Sequence, residues 1–335
     1  MTTLWDTTGT EVVAALSAER RAAGALAFGL ALTLVVVVDE RNVKAAEQAA
    51  TTAAAAHPCR LLIVVRREVT APEPRLDAEV SIGGRLGPGE AIIMRMYGRL
   101  ALHAESVVLP LLAPDAPVIT WWHGDPPERI SYDPLGVFAD RRVTDTLHAA
   151  APLAALRQRA VDFAPGDTDI AWTRVTPWRT LLAAAFDSVT ETPSAITITG
   201  DPADPSAALL AGWFTDRLGV EPSIVAGPTP GRLTSIALTL SGGDLTLTRQ
   251  DSRTAVLSRP GQPDRALPLA ESDLGDLLAE ELRRLDDDAT YGDALSAWSG
   301  LPDLNGRSPQ REHIWRDPMA PAGAGAGAAT AGTAG

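Results

Sequence analysis

The chain has one cysteine, Cys59, and one lysine, Lys44, in 335 residues. A lone cysteine excludes an intrachain disulfide and any cysteine-rich zinc or iron–sulfur centre, and it agrees with a reducing cytosol without requiring one. The lone lysine excludes a P-loop, because that lysine must follow glycine to reach the terminal phosphates and Lys44 follows Val43. Basic charge is also short: 29 basic residues against 42 acidic give a net charge of −13, which argues against nucleic acid and anionic membranes as partners. Twenty-eight of the 29 basic residues are arginine, which reads as coding bias. With 45% hydrophobic residues and ordinary glycine and proline content, the composition is that of a folded protein, neither disordered nor collagen-like.

Residues 22–38 form an uncharged run of 17, the short limit for a membrane span. Asp6, Glu11 and Glu19 precede it where a signal peptide would be basic, and its second half is a β-branched run. The expectation is a helix over 6–27, a turn, and a strand buried on both faces.

A helix over 42–56 and a strand over 59–65 complete a βαβ unit. Strands at 77–82 and 91–97, a helix over 100–112 and a strand over 117–122 follow. After about residue 150 come helices at 153–163 and 177–188, a strand at 195–199, a helix over 206–218 and a strand at 222–226. Three alternating segments, 233–240, 244–250 and 254–259, read as an antiparallel meander with a Ser241-Gly242-Gly243-Asp244 hairpin turn. An amphipathic helix over 274–285 and a helix over 291–298 close the folded part. The predicted fold is thus two α/β domains. Residues 1–163 carry a partly parallel, mixed sheet in three layers, and residues 168–300 a mixed sheet containing the meander. The break falls at Pro165-Gly166, and residues 301–335 read as a flexible tail, low-complexity Ala/Gly from about 319.

Motifs for chemistry are sparse. The turn after the first long strand reads Asp39-Glu40-Arg41-Asn42, bulky and acidic where a dinucleotide fingerprint needs glycine. The glycine cluster at 83–89 joins two strands, and the five histidines lack metalloprotease spacing. Cys59 opens an apolar strand, which suits a buried, inert thiol, although His57 two residues away leaves a reactive one open. No catalytic, cofactor-binding or metal-ligating residue is assigned and no cofactor is expected.

What does stand out is tryptophan, eight of 16 aromatic residues, concentrated beside arginine. Trp121, Trp122 and His123 lie at a strand's carboxyl end, where α/β sheets bind ligands, and Trp172, Arg174, Trp178 and Arg179 lie beside the interdomain junction. With Arg141, Arg142 and Asp145 these are the candidate partner-binding residues, since tryptophan and arginine dominate interface hot spots. The same residues suit an interdomain core in which the arginines pair with nearby aspartates.

The ordered set of segments resembles the OpcA family of glucose-6-phosphate dehydrogenase assembly proteins of actinobacteria and cyanobacteria. The segments are Leu32-Thr33-Leu34-Val35-Val36-Val37-Val38, His57-Pro58-Cys59-Arg60, Gly98-Arg99-Leu100-Ala101-Leu102-His103-Ala104-Glu105-Ser106 and Pro117-Val118-Ile119-Thr120-Trp121-Trp122. They continue with Asp140-Arg141-Arg142-Val143-Thr144-Asp145, Ala171-Trp172-Thr173-Arg174-Val175-Thr176-Pro177-Trp178-Arg179, Gly261-Gln262-Pro263-Asp264-Arg265 and Leu277-Leu278-Ala279-Glu280-Glu281-Leu282-Arg283-Arg284-Leu285-Asp286. The arginine bias suits an actinobacterial relative. The resemblance implies a non-catalytic, cytoplasmic partner of glucose-6-phosphate dehydrogenase that assembles or allosterically activates it, at the entry to the oxidative pentose phosphate pathway. Two other classes stay open: a sensor of a small nucleotide or sugar phosphate at the strand ends near His123, and an unrecognised sugar-phosphate enzyme around Arg141, Arg142 and Asp145. Residues 1–160 carry 18 acidic and 16 basic groups and the remainder 24 and 13, so the acidity belongs to the second half.

Overall fold

In the computed structural model, residues 1–23, 30–83, 89–130, 133–187, 189–229, 231–309 and 311 are described. The chain begins with β1 (Thr2–Leu4), α1 (Gly9–Ala22), β2 (Leu32–Val38), α2 (Val43–Ala56) and β3 (Cys59–Arg66). Next come β4 (Arg75–Ile82), β5 (Glu90–Tyr97), the short helices α3 (Arg99–Leu102) and α4 (Glu105–Val108), and β6 (Val118–His123). Then follow α5 (Pro134–Val137), β7 (Arg141–Thr144), α6 (Pro152–Asp162), β8 (Asp167–Asp169), α7 (Ile170–Arg174) and α8 (Thr176–Phe186). The remainder is β9 (Ala195–Gly200), α9 (Pro205–Leu218), β10 (Ser223–Ala226), β11 (Ser235–Leu240), β12 (Gly243–Arg249), β13 (Thr254–Ser258), β14 (Arg265–Pro268), α10 (Leu274–Arg283) and α11 (Ala289–Ser299).

Two mixed sheets organise these elements, as expected for two α/β units. The first runs β1-β4-β5-β3-β2-β6-β7-β8. From β5 to β8 every pairing is parallel, while β4 is antiparallel to both of its neighbours. Counted outward from β2, the chain winds to β3 and β5 on one side and to β6, β7 and β8 on the other, so β2/β6 is the switch point of a doubly wound sheet. All seven residues of β2 are buried because both faces are covered. Leu34, Val36 and Trp121 join one apolar layer with α2 and α10, and Val35, Val37 and Trp122 join the other with α1, Val107 and Val108. Thr8 and Glu11 form a capping box that starts α1. The expected end of that helix at 24–27 and the residues 84–88 of the glycine cluster lie outside the described residues.

The second sheet runs β10-β9-β11-β12-β13-β14, with the expected hairpin β11–β12 and a parallel β9–β10 pair. Its inner face packs on α8, α9 and α11 in a third core containing Trp172, Trp178 and Tyr291. Gly212 lets α9 approach α11: a Cβ there would lie 2.0 Å from the Ala294 carbonyl oxygen.

Two expectations need correction. The helix over 100–112 is two single turns, α3 and α4, parted where His103 leaves helical geometry (φ −117°, ψ 42°), and it ends in a 3-10 turn at Leu109–Leu111, where Pro110 has no N–H to continue an α-helix. Two elements cross the expected break at 163–168: β8 is the edge strand of the first sheet, and α10 packs against α2 in the first unit's core. Residues 301–309 are ordered, with Leu304 in the third core and Arg307 donating to the carbonyls of Ala160, Val161 and Phe163. Strands β1, β7, β8 and β14 carry no alternating apolar signal, and the sequence pattern does not reveal them.

Candidate functional site

The carboxyl ends of β2, β6, β7 and β8 meet in one place, and there the chain's unusual polar residues collect. After β2, Asp39 accepts the Asn42 N–H at 3.0 Å, and Glu40 pairs with Arg67. A carboxylate therefore already occupies the first turn of α2, where a dinucleotide's pyrophosphate would need glycine and open backbone. After β6, Gly124 has φ +114°, a backbone conformation that L side chains rarely adopt, which lets the chain turn away directly behind His123.

His123 is buried, its ring 4.9 Å from that of Trp121 and 6.1 Å from that of His148, and its Nδ1 has no partner among the described residues. Burial holds its pKa below the usual imidazole value against the pull of Asp145, so the ring is neutral at pH 7. Asp145, at the end of β7, is fully buried and takes both forks of Arg174, at 2.8 and 3.0 Å, with His148 Nε2 3.5 Å away. Asp169, at the end of β8, accepts from the Thr144 hydroxyl at 2.6 Å and from the N–H groups of Thr146 at 3.1 Å and Ala171 at 2.9 Å. The last of these caps α7. Both aspartates are thus consumed in joining the first sheet to α7, the helix that leads into the third core. The cluster is a latch, with one neutral imidazole edge left over.

Burial, reinforced by the Asp145 charge, pushes the Asp169 carboxyl up to about 6 despite its three donors. The folded state holds this proton more tightly than the unfolded chain does. The stabilisation is therefore complete below the unfolded pKa and lost as pH rises through the folded value. Relative to Asp169→Asn, the unfolding free energy of the native sequence is expected to rise by about 2 kcal/mol on acidification from pH 7 to pH 4. Urea unfolding of both proteins across that range measures it, and a pH-independent gap would mean the carboxyl is ionised throughout.

The ten candidate contact residues do not form one surface. Trp121 and Trp122 point to opposite faces of the first sheet, each in a core. Arg141 donates to Glu281 Oε2 at 2.6 Å and to the Asp286 carbonyl at 2.8 Å. Arg142 pairs with Asp167 and donates to the carbonyls of Ala139 and Pro165. Trp172 donates from Nε1 to Asp288 at 2.9 Å, and its ring lies 3.4 Å from the Arg179 guanidinium carbon. The guanidinium of Arg249 lies 5.3 Å from the ring of Trp178. Only Arg174, Arg179 and part of His123 reach solvent, and His123, Asp145 and Arg174 are the three brought into one cluster. Within the chain these tryptophans and arginines tie sheets and helices together. Cys59 is buried, and burial pushes its thiol up to about 12, so the inert reading applies.

Sequence reasoning passes over Trp5, which is 68% exposed beside the edge strand β1. Its signal is available: a large apolar residue directly after Leu4 and before Asp6, outside any amphipathic stripe. Among the described residues, no group of three or more His, Cys, Asp or Glu side chains is placed to hold a metal ion, and no helix is long and apolar enough to cross a membrane.

Comparison with known proteins gives the following. A mutant of KijD10, a 3-ketoreductase from Actinomadura kijaniata, superimposes with a TM-score of 0.44 at 12% identity, covering 85% of this chain and 100% of that one. An oxidoreductase from Sinorhizobium meliloti gives 0.43 at 10% identity, over 85% and 99%. A putative OxPP cycle protein OpcA from Synechococcus elongatus is 30% identical over 126 residues, which is 34% of this chain and only 28% of that protein's length. Two family profiles match in order. Residues 50–161 match the N-terminal domain, and residues 165–295 the C-terminal domain, of the family described as glucose-6-phosphate dehydrogenase subunits. Together they span β3 to α11, which takes in the latch and every strand of the two sheets except β1 and β2, and on that coverage the chain belongs to the OpcA family of glucose-6-phosphate dehydrogenase assembly proteins.

Proposed function

We propose that this protein is a non-catalytic, cytoplasmic partner of glucose-6-phosphate dehydrogenase that binds the enzyme and favours its active form. The observation that carries the reading is the ordered match of both family profiles across the two sheets. The strand-end cluster supports it, because its carboxylates are spent on Arg174, on backbone N–H groups and on a helix cap. The mechanism is thermodynamic linkage. The protein raises activity only by as much as it binds the active conformation or oligomer better than the inactive one. The latch residues contribute by holding the two sheets in one fixed arrangement, so that a surface is presented without an ordering cost. With 24 acidic against 13 basic groups after residue 160, docking through that half seeks a basic patch on the enzyme and weakens with salt.

The test is a dehydrogenase assay with and without the full chain, paired with co-elution of the two proteins. Expected are a higher velocity or a lower KM for glucose 6-phosphate, together with a joint elution peak. No change in either constant and no shared peak would overturn the reading.

A further inference from the structure

The second sheet is covered on one face only. Along β9, β11, β12 and β13, alternate residues enter the third core: Ile196 and Ile198, Ile236 and Leu238, Leu245 and Leu247, Ala255 and Leu257. The residues between them point the other way, and among the described residues no helix covers that face. Strand register lines these outward residues into two central rows: Thr197 faces Ala237 and Ala237 faces Thr246 in one, while Thr248 faces Val256 in the other.

Charge is excluded from these two rows. Followed across the sheet, they contain only threonine, serine, alanine and valine. Yet they lie in the half of the chain with 24 acidic and 13 basic groups, where a solvated sheet face would ordinarily carry its share of charge. Tryptophan, tyrosine and arginine, the anchors of most heterologous interfaces, are missing from the rows as well. Three features fit a copy of the same chain. Two molecules of net charge −13 repel, and an uncharged surface lets them meet without opposing like charges. Hydroxyls both donate and accept, so a face of threonine and serine is complementary to itself, as a two-fold interface requires. Six strands about 4.8 Å apart and about 18 Å long give a footprint of about 500 Å² per copy, hence about 1,000 Å² for a pair, the lower bound of a specific interface.

We propose that the open face of the six-stranded sheet is where a second copy of this chain docks, sheet against sheet about a two-fold axis. The layers then pack as in a β-sandwich, about 10 Å apart, with the helices of both copies outermost.

Sedimentation velocity on the full chain tests this. The native protein should run as a dimer at micromolar concentration that added salt does not weaken, because no charge lies in the central rows and screening lowers the repulsion between copies. Thr246→Arg, and independently Thr248→Lys, should weaken self-association at least tenfold while leaving the circular dichroism melt unchanged. Since Cys59 is buried, Thr246→Cys supplies the reactive thiol on this face, and a bismaleimide should then link two chains. The proposal is overturned by a native monomer at those concentrations. It is equally overturned by a folded Thr246→Arg that dimerises like the native protein, or by a dimer of Thr246→Cys that does not cross-link. Loss of dehydrogenase co-elution in Thr246→Arg, with the native chain monomeric, would assign the face to that enzyme instead.

Discussion

Replacing Glu281 with alanine is expected to destabilise the protein by about 3–5 kcal/mol, the usual consequence of stranding a buried charge. Glu281 lies on α10 and is 5% exposed; Arg141 lies on β7 and is 2% exposed. One carboxylate oxygen takes the Arg141 guanidinium at 2.6 Å and the other accepts the Thr173 hydroxyl of α7. Removing the carboxylate leaves a guanidinium in an apolar layer with the Asp286 carbonyl as its remaining acceptor and leaves Thr173 without its partner. Desolvation then goes uncompensated, whereas an all-apolar replacement of similar volume avoids it. The combination Arg141→Met, Thr173→Val and Glu281→Leu should therefore recover most of the loss. Urea unfolding of the single and triple variants decides the matter. If Glu281→Ala unfolds like the native protein, the pair is not what fastens α10 to the first sheet.

That pair also shows where sequence reasoning stops. The valine run of β2, the alternation of β11 to β13 and the amphipathic stripe of α10 (Leu274, Leu277, Leu278, Leu282) are local patterns, and each points to the right element. What α10 packs against is not local. It crosses back from after the second sheet to cover α2, and nothing in its stripe names that target. Strands β7 and β8 read as polar loops because Arg141, Arg142, Asp167 and Asp169 lack the apolar signature of buried strands. They are buried because each finds a partner elsewhere, Glu281 lying 140 residues from Arg141. The end of the helix expected over 100–112 is legible, since Pro110 sits inside it, whereas the break at His103 has no such marker in the sequence. For the site, the sequence supplies residue types that suit two roles, and the structure displays the internal one. Tryptophan and arginine together mark a place where large contact area and several donors are required, and an internal junction requires both as much as an external one does.

Trp122 separates those two roles by experiment. On β6 it stands opposite Val37 of β2 and fills the layer that holds Leu62, Val108 and Leu135, with 1% of its surface exposed. Its Nε1 has no acceptor among the described residues, so the side chain contributes through packing alone. Truncation to alanine removes an indole from the centre of the parallel sheet and leaves a cavity that flanking strands, pinned by hydrogen bonds on both sides, cannot collapse into. The expected loss is about 3–5 kcal/mol in urea unfolding, with Trp122→Phe losing much less. Trp5→Ala, at an exposed position, should change stability by no more than about 0.5 kcal/mol. A contact role for Trp122 predicts the reverse order: a variant as stable as the native chain, with weakened dehydrogenase binding. Measuring stability and co-elution on both tryptophan variants distinguishes the cases, because a core residue loses binding only in proportion to the folded fraction, whereas a contact residue loses it while fully folded.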